Sequence, residues 1–341
     1  MKKLYLYLSL LFIIILSIII IYSLNEKADK NLVSSNKKKI RFQLQWFDQS
    51  QFSGFYVAKK NEYYEKEGLE VEIIPGGFKT NPIQVILMKE ADIAIVTGNK
   101  LLQAIDSKFD VKAFATVFNK SIACFISKTE RKIKTPFDFI GKTVAVYSGF
   151  DTEHILLCLL KKLKISRSSV NIIEAGDITP FLKGNVDVWP SYIINEPIKM
   201  NEEGISVNIL QPDNFGVQFY SDTLFSTTEF WKNNREIIKK FIRASSKGWN
   251  YAENHKNEAI SIMYNTRNNL AFNSTSAQQL KMLETCCTFL RGGSNNLIFY
   301  MNPDRWQAME DDLFNANIIQ NKGYVNKLCD FKIVEEAIPN E

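Results

Sequence analysis

The stretch IRFQLQWFDQSQFSGFYVA, residues 40–58, holds a strand pattern, a polar turn and a helix pattern in immediate succession. Ile40 to Leu44 alternates like a half-buried strand, and Phe52 and Tyr56, four residues apart, share one face of a helix predicted around Phe52 to Glu67. A second strand follows at Leu69 to Ile74. Strand, helix, strand in that order predicts a parallel sheet wrapped by helices.

The alternation continues with a helix opened by Asn81-Pro82, a strand at Asp92 to Val96, a helix from Asn99 to Ser107 and a strand at Val111 to Val117. A second set has strands at Thr143 to Tyr147, Val170 to Ile173 and Val186 to Val188, with helices near Asp151 to Leu163 and Ile193 to Glu203. Two α/β lobes are therefore expected. Beyond Tyr220 the chain turns helical, and Ile238, Phe241, Ile242, Ser245 and Trp249 form a stripe that reads as packing.

With 341 residues and 45% hydrophobic content the chain is long enough for two compact domains. The net charge of +5 is small, and several surplus lysines lie near the N-terminus, so no nucleic-acid surface is expected. Leu4 to Leu24 is an uncharged apolar run long enough to span a bilayer and longer than the usual core of a cleaved signal. It reads as a retained anchor with the domain outside the cytoplasmic membrane; cleavage near Ser23, giving a periplasmic protein, is the alternative. Asn25 to Lys39 reads as a polar tether. Five cysteines show no C-x-x-C or metal-ligand spacing; export would permit pairing of Cys286 or Cys287 with Cys329, and the odd count leaves a thiol free.

An open α/β sheet binds its ligand beyond the carboxyl ends of its strands. Those ends read Gln45-Trp46-Phe47-Asp48, Thr97-Gly98-Asn99, Tyr147-Ser148-Gly149 and Trp189-Pro190-Ser191-Tyr192. Aromatic planes and small polar residues dominate, and basic residues are scarce.

These residues, with Gln51-Phe52-Ser53-Gly54-Phe55-Tyr56-Val57-Ala58, Pro75-Gly76-Gly77, Asn81-Pro82-Ile83, Asp187-Val188-Trp189-Pro190-Ser191-Tyr192, Asn195-Glu196-Pro197 and Phe219-Tyr220-Ser221-Asp222, resemble a known family. It is that of the thiamine-precursor pyrimidine-binding and synthase-like substrate-binding proteins of ABC transporters, within the larger class that takes sulfonates and nitrate. The resemblance runs from about Ile40 to Ile260. It implies an α/β type II periplasmic-binding-protein fold, two lobes about a ligand cleft, here preceded by a transmembrane helix. Residues 1–24 would be the anchor, 25–39 the tether, 40–125 with 216–341 lobe I and 126–215 lobe II, with crossovers near Cys124 to Ser127 and Phe215 to Tyr220.

What the resemblance implies about function is a small planar heteroaromatic ligand, a thiamine-precursor-like pyrimidine, handed to an ABC permease. Trp46 is a candidate stacking wall, opposed by Trp189 and Tyr192, since offset stacking on a flat ring adds ~0.5 to 1.5 kcal/mol per aromatic partner. Glu196 and Asp222 are candidate acceptors for amino groups. Asp48 and Gln51 lie at the first strand-to-helix turn, Asn99 and Ser148 read as helix caps whose backbone N–H groups face the cleft, and Tyr220 lies at a crossover. For each, packing, capping or solvation is the competing explanation. The alternatives at the level of function are a small-anion binder, a membrane-tethered receptor read by a signalling partner, and a pyrimidine synthase. The synthase chemistry lacks its parts, because the histidines are His154 and His255, away from Trp46 to Ala58, and no cysteine cluster is present. No cofactor and no metal is expected.

Overall fold

The computed structural model describes residues 37–265 and 274–339. The expected anchor at residues 1–24 and most of the tether lie outside the described residues, and β1 starts within the tether, at Lys38. Among the described residues no helix is long and apolar enough to cross a membrane.

The first lobe runs β1 (Lys38–Gln43), α1 (Ser53–Lys60), β2 (Leu69–Ile74), α2 (Pro82–Leu87), β3 (Ile93–Val96), α3 (Gly98–Asp106) and β4 (Val111–Thr116). The helix expected around Phe52 to Glu67 is broken, because Glu62 adopts a left-handed backbone (φ 58°) and starts a separate turn at Tyr63–Lys66. The chain then enters the second lobe as β5 (Ala123–Lys128), β6 (Thr143–Val146), α4 (Asp151–Lys162), β7 (Asn171–Glu174), β8 (Trp189–Tyr192), α5 (Glu196–Glu202) and β9 (Val207–Leu210). It returns through β10 (Thr223–Thr227) and continues as α6 (Arg235–Asn254), α7 (Lys256–Asn265), α8 (Ser276–Cys287) and α9 (Pro303–Asn315).

The two sheets repeat one plan. In the first lobe the order is β2-β1-β3-β10-β4, with β1 parallel to β2 and β3, and β10 antiparallel to β3 and β4. In the second, β7 and β6 pair in parallel, β6 reaches the β8 segment through a parallel bridge at Val144 and Val188, and β5 lies antiparallel between β8 and β9. Each sheet thus receives one antiparallel strand just after a crossover, β5 on the way out and β10 on the way back. Cys124 to Ser127, expected at the first crossover, form the inner strand β5 instead, and the crossing occurs earlier, between β4 and β5. Trp189-Pro190-Ser191-Tyr192, expected as a loop after a strand at Val186 to Val188, is itself strand β8. Pro190 is tolerated because β6 meets this segment only at Val188, so its missing N–H interrupts no ladder on that side.

The core of the first lobe gathers Phe42, Phe55, Phe241 and Trp249 between sheet and helices. Residues of both lobes share a further cluster, in which Val111 and Ile105 meet Val144, Ile155 and Leu159, with Trp306 and Met309 of α9. α9 therefore packs on α3 of one lobe and α4 of the other. Ion pairs reinforce this strap: Lys162 Nζ lies 2.9 Å from Asp312, and Arg305 pairs with Asp213. All five cysteines are free, and Cys286 and Cys329 lie in separate core clusters, so the expected pairing does not form.

α6 and α1 approach more closely than side chains would allow. A Cβ on Gly248 would stand 2.1 Å from the Gly54 carbonyl oxygen, and one on Gly54 would stand 2.2 Å from the Trp249 ring. The glycine of the opening stretch therefore serves helix packing. Gly248→Ala is expected to cost at least ~1–3 kcal/mol through overpacking, read as a lower urea midpoint with unchanged slope. A midpoint equal to that of the unsubstituted protein would contradict this crossing.

Candidate functional site

The carboxyl ends of β1 and β3, the amino end of β10, and the ends of β6 and β8 face one another across the cleft. Asp222 stands at its centre, on the return crossover immediately before β10, and is fully buried. Gln51 Nε2 donates to both Asp222 oxygens at 2.8 Å, and Gln45 Nε2 donates to Oδ1. The Gln51 amide is oriented in turn, because its Oε1 accepts from Gln49 Nε2 at 2.6 Å. The polar turn between β1 and α1 is thus a relay of amides ending on one carboxylate. Burial pushes the Asp222 carboxyl up to about 7; the Gln51 donors oppose that rise and the charge of Asp151 adds to it.

The second lobe supplies Asp151, Tyr192 and Glu196. Asp151, in the first turn of α4, is buried and accepts the Tyr192 hydroxyl at 2.5 Å. Glu196, in the first turn of α5, accepts the Tyr192 backbone N–H at 2.9 Å. Burial raises both carboxyls above the ordinary range. The cation among them is Lys100 of α3, which donates to the Gly149 carbonyl across the cleft and lies near Asp151 and Glu153; burial lowers its ammonium. The lobes also meet at His154, whose Nδ1 lies 2.8 Å from Asn99 Nδ2 and 3.1 Å from Gln103 Nε2. Burial, with the nearby charge of Lys100, holds this imidazole down to about 4, so it is neutral near pH 7. The Asn99 Oδ1 is buried without a hydrogen-bond partner among the described residues.

The structure thus brings Gln51, Asn99, Tyr192, Glu196 and Asp222 of the expected residues to the cleft walls. Trp46 is half-buried at the end of β1, edge-on to Phe47 at 5.4 Å and to the 68% exposed Phe78 at 4.9 Å. Asp48 is buried and accepts the Tyr56 hydroxyl. Two further expected residues are packed against other aromatic side chains. Trp189 is packed in the second lobe's core with Phe181, and the half-buried Tyr147 stands edge-on to it at 6.0 Å on the cleft side. Tyr220 is buried against Trp306 at 5.6 Å, and its hydroxyl accepts the Asn302 N–H. Neither Asn99 nor Ser148 caps a helix: Thr97 and Phe150 hold those positions, and exposed Ser148 donates to Glu174. Gln45, Gln49, Lys100 and Asp151 were missed. Gln45 and Lys100 flank strand ends already in view, and Asp151 opens the helix after Gly149, where an acidic residue reads first as a dipole partner.

A family model described as NMT1/THI5 like matches residues 49–259. The chain belongs to the NMT1/THI5-like family. Among curated relatives, the formylaminopyrimidine-binding protein of Halalkalibacterium halodurans is 24% identical over 238 residues, 68% of this chain and 72% of that protein. The riboflavin-binding protein RibY of Chloroflexus aurantiacus is 25% identical over 218 residues, 62% of this chain and 61% of that protein. Among solved structures, a sulfonate-binding SsuA described as that of a putative transporter of Methylobacillus flagellatus superposes with a TM-score of 0.68 at 14% identity, covering 89% of this chain and 94% of that one. This chain shares the periplasmic-binding-protein fold of these solved structures.

The raised Asp222 carboxyl has a stability signature. Its folded value of about 7 exceeds the ordinary ~3.9, so its stabilising contribution is full below about pH 4 and is lost as pH rises through 7. Asp222→Asn removes that loss. The ligand-free variant is expected to gain on the order of 2–3 kcal/mol relative to the parent between pH 5 and 8, measured by thermal melts across pH. Parallel melting profiles would show that Asp222 ionises normally.

Proposed function

We propose that this chain is a non-enzymatic solute receptor that closes on a thiamine-precursor-like aminopyrimidine and delivers it to an ABC permease. The observation that carries this reading is the buried Asp222 carboxylate, held by amides at the junction of both lobes with Asp151 and Glu196 nearby. Such a cleft is rich in acceptors and poor in free cations. It suits a flat ligand bearing N–H donors, with Trp46, Tyr147 and Tyr192 offering aromatic surface. The relatives named for a formylaminopyrimidine and for riboflavin support a planar nitrogen heterocycle.

The small-anion alternative fits less well, because Lys100 already serves the Gly149 carbonyl and the charges of Asp151 and Glu153. A synthase that consumes its own histidine fits less well too: His154 is locked between Asn99 and Gln103, and His255 stacks on Tyr251 at the outer end of α6. On this reading the apolar run Leu4 to Leu24 keeps the receptor at the outer face of the cytoplasmic membrane, where a signalling partner would be the other possible reader of the closed state.

Calorimetric titration tests the reading. A 4-aminopyrimidine carrying a 5-aminomethyl or 5-hydroxymethyl group is expected to bind, and Asp222→Asn to weaken it about tenfold or more, the worth of one charge-assisted hydrogen bond. Binding of an alkanesulfonate with none of any aminopyrimidine would overturn it.

A further inference from the structure

α8, in the helical region beyond β10, touches both lobes. A reciprocal cap fixes its start, with Thr275 Oγ1 accepting from Gln278 N–H at 3.2 Å and Gln278 Oε1 accepting from Thr275 N–H at 3.1 Å. Gln279, 2% exposed, accepts on its Oε1 both the Ser50 N–H at 2.7 Å and the Ser50 hydroxyl at 2.8 Å, and its amide donates to Ser274 Oγ at 2.9 Å. From the other lobe, Glu202 of α5 is held by Gln278 and by Lys281, the latter at 3.3 Å.

Ser50 sits between Gln49 and Gln51, of which Gln49 donates to the Gln51 carbonyl oxygen and Gln51 donates to Asp222. Its backbone therefore sets where the relay points. A buried glutamine far along the chain that takes both donors of this one residue restrains the turn.

We propose that Gln279 is a positioning residue for ligand recognition: by clamping Ser50 it holds the Gln51 amide on the Asp222 carboxylate. The ligand-recognition part rests on the binding function proposed above; the effect of the clamp on Asp222 does not. Besides the Gln45 and Gln51 amides, the ionisable groups that sense Asp222 are Asp151 and Tyr192 of the second lobe and Cys286 of α8 itself. The Gln51 donors lower the Asp222 proton affinity, so releasing them raises it.

The test is a carbon-13 NMR titration of aspartate side chains in the full chain in detergent, with the Asp222 signal assigned by its loss in Asp222→Asn. Gln279→Leu is expected to move the Asp222 midpoint upward by about one unit, the equivalent of one hydrogen bond to a charged group. Ser50→Ala, which retains the N–H bond, is expected to move it less in the same direction. Aminopyrimidine affinity at pH 7.5 is expected to fall about tenfold in Gln279→Leu. An unchanged or lowered midpoint in the folded variants would overturn the proposal, since looser packing that lets water reach Asp222 would lower its midpoint, the opposite of releasing the Gln51 donors. If Gln279→Leu does not fold, Ser50→Ala decides by the same criterion. Failure of the unsubstituted protein to bind an aminopyrimidine would refute the ligand reading while the titration still judges the clamp.

Discussion

Burying a carboxylate is costly unless donors or a cation meet it, and the cost grows as water is excluded. In this protein Asp222 is enclosed at the point where the chain returns from one lobe to the other, and much around it serves to hold it there. Gln45 and Gln51 bring amide donors from the first turn, Gln49 orients Gln51, and Gln279 holds Ser50 between them. The backbone on either side is tied as well, since Val117 N–H donates to the Asp222 carbonyl at 2.7 Å and Ser221 Oγ accepts the Ile122 N–H at 3.1 Å. Those bonds join the two crossovers. The carboxylate therefore sits where the two crossovers meet, between the lobes.

The duplicated sheet plan explains why the remaining groups converge there. Parallel strands end on the same side, and in each lobe those ends face the partner lobe. Lys100 stands near the start of the helix that follows β3 and Asp151 opens the helix that follows β6, so the two lobes bring opposite charges near one another. Behind the crossovers, α9 spans α3 and α4 and ties the lobes through Asp312 and Arg305. Polar and ionisable groups thus gather between the lobes, with a packed strap behind the crossovers.

Much of this architecture was legible from periodicity and from the ends of the strands. Strand and helix patterns located most elements of both lobes, and the polar turn after β1 was visible in the first stretch read. What was not legible depended on contacts between distant segments. Trp189 and Tyr147 both follow strand patterns, and only the fold of the second lobe decides which of them is buried. Tyr220 looks available at a crossover until α9 covers it with Trp306. Pro190 argued for a loop because its position relative to β6 could not be known from its neighbours. Gln279 carries no local signal at all, since its importance comes from Ser50, 229 positions earlier.

The central claim is that the Asp222 carboxylate, not the Lys100 ammonium, recognises the ligand. A crystal structure of the protein with its bound ligand tests it most directly. The account predicts a planar ring in the cleft with an N–H donor within hydrogen-bond distance of Asp222 and the Gln51 amide still in place. A ligand held through an oxyanion on Lys100, with Asp222 out of contact, would contradict it.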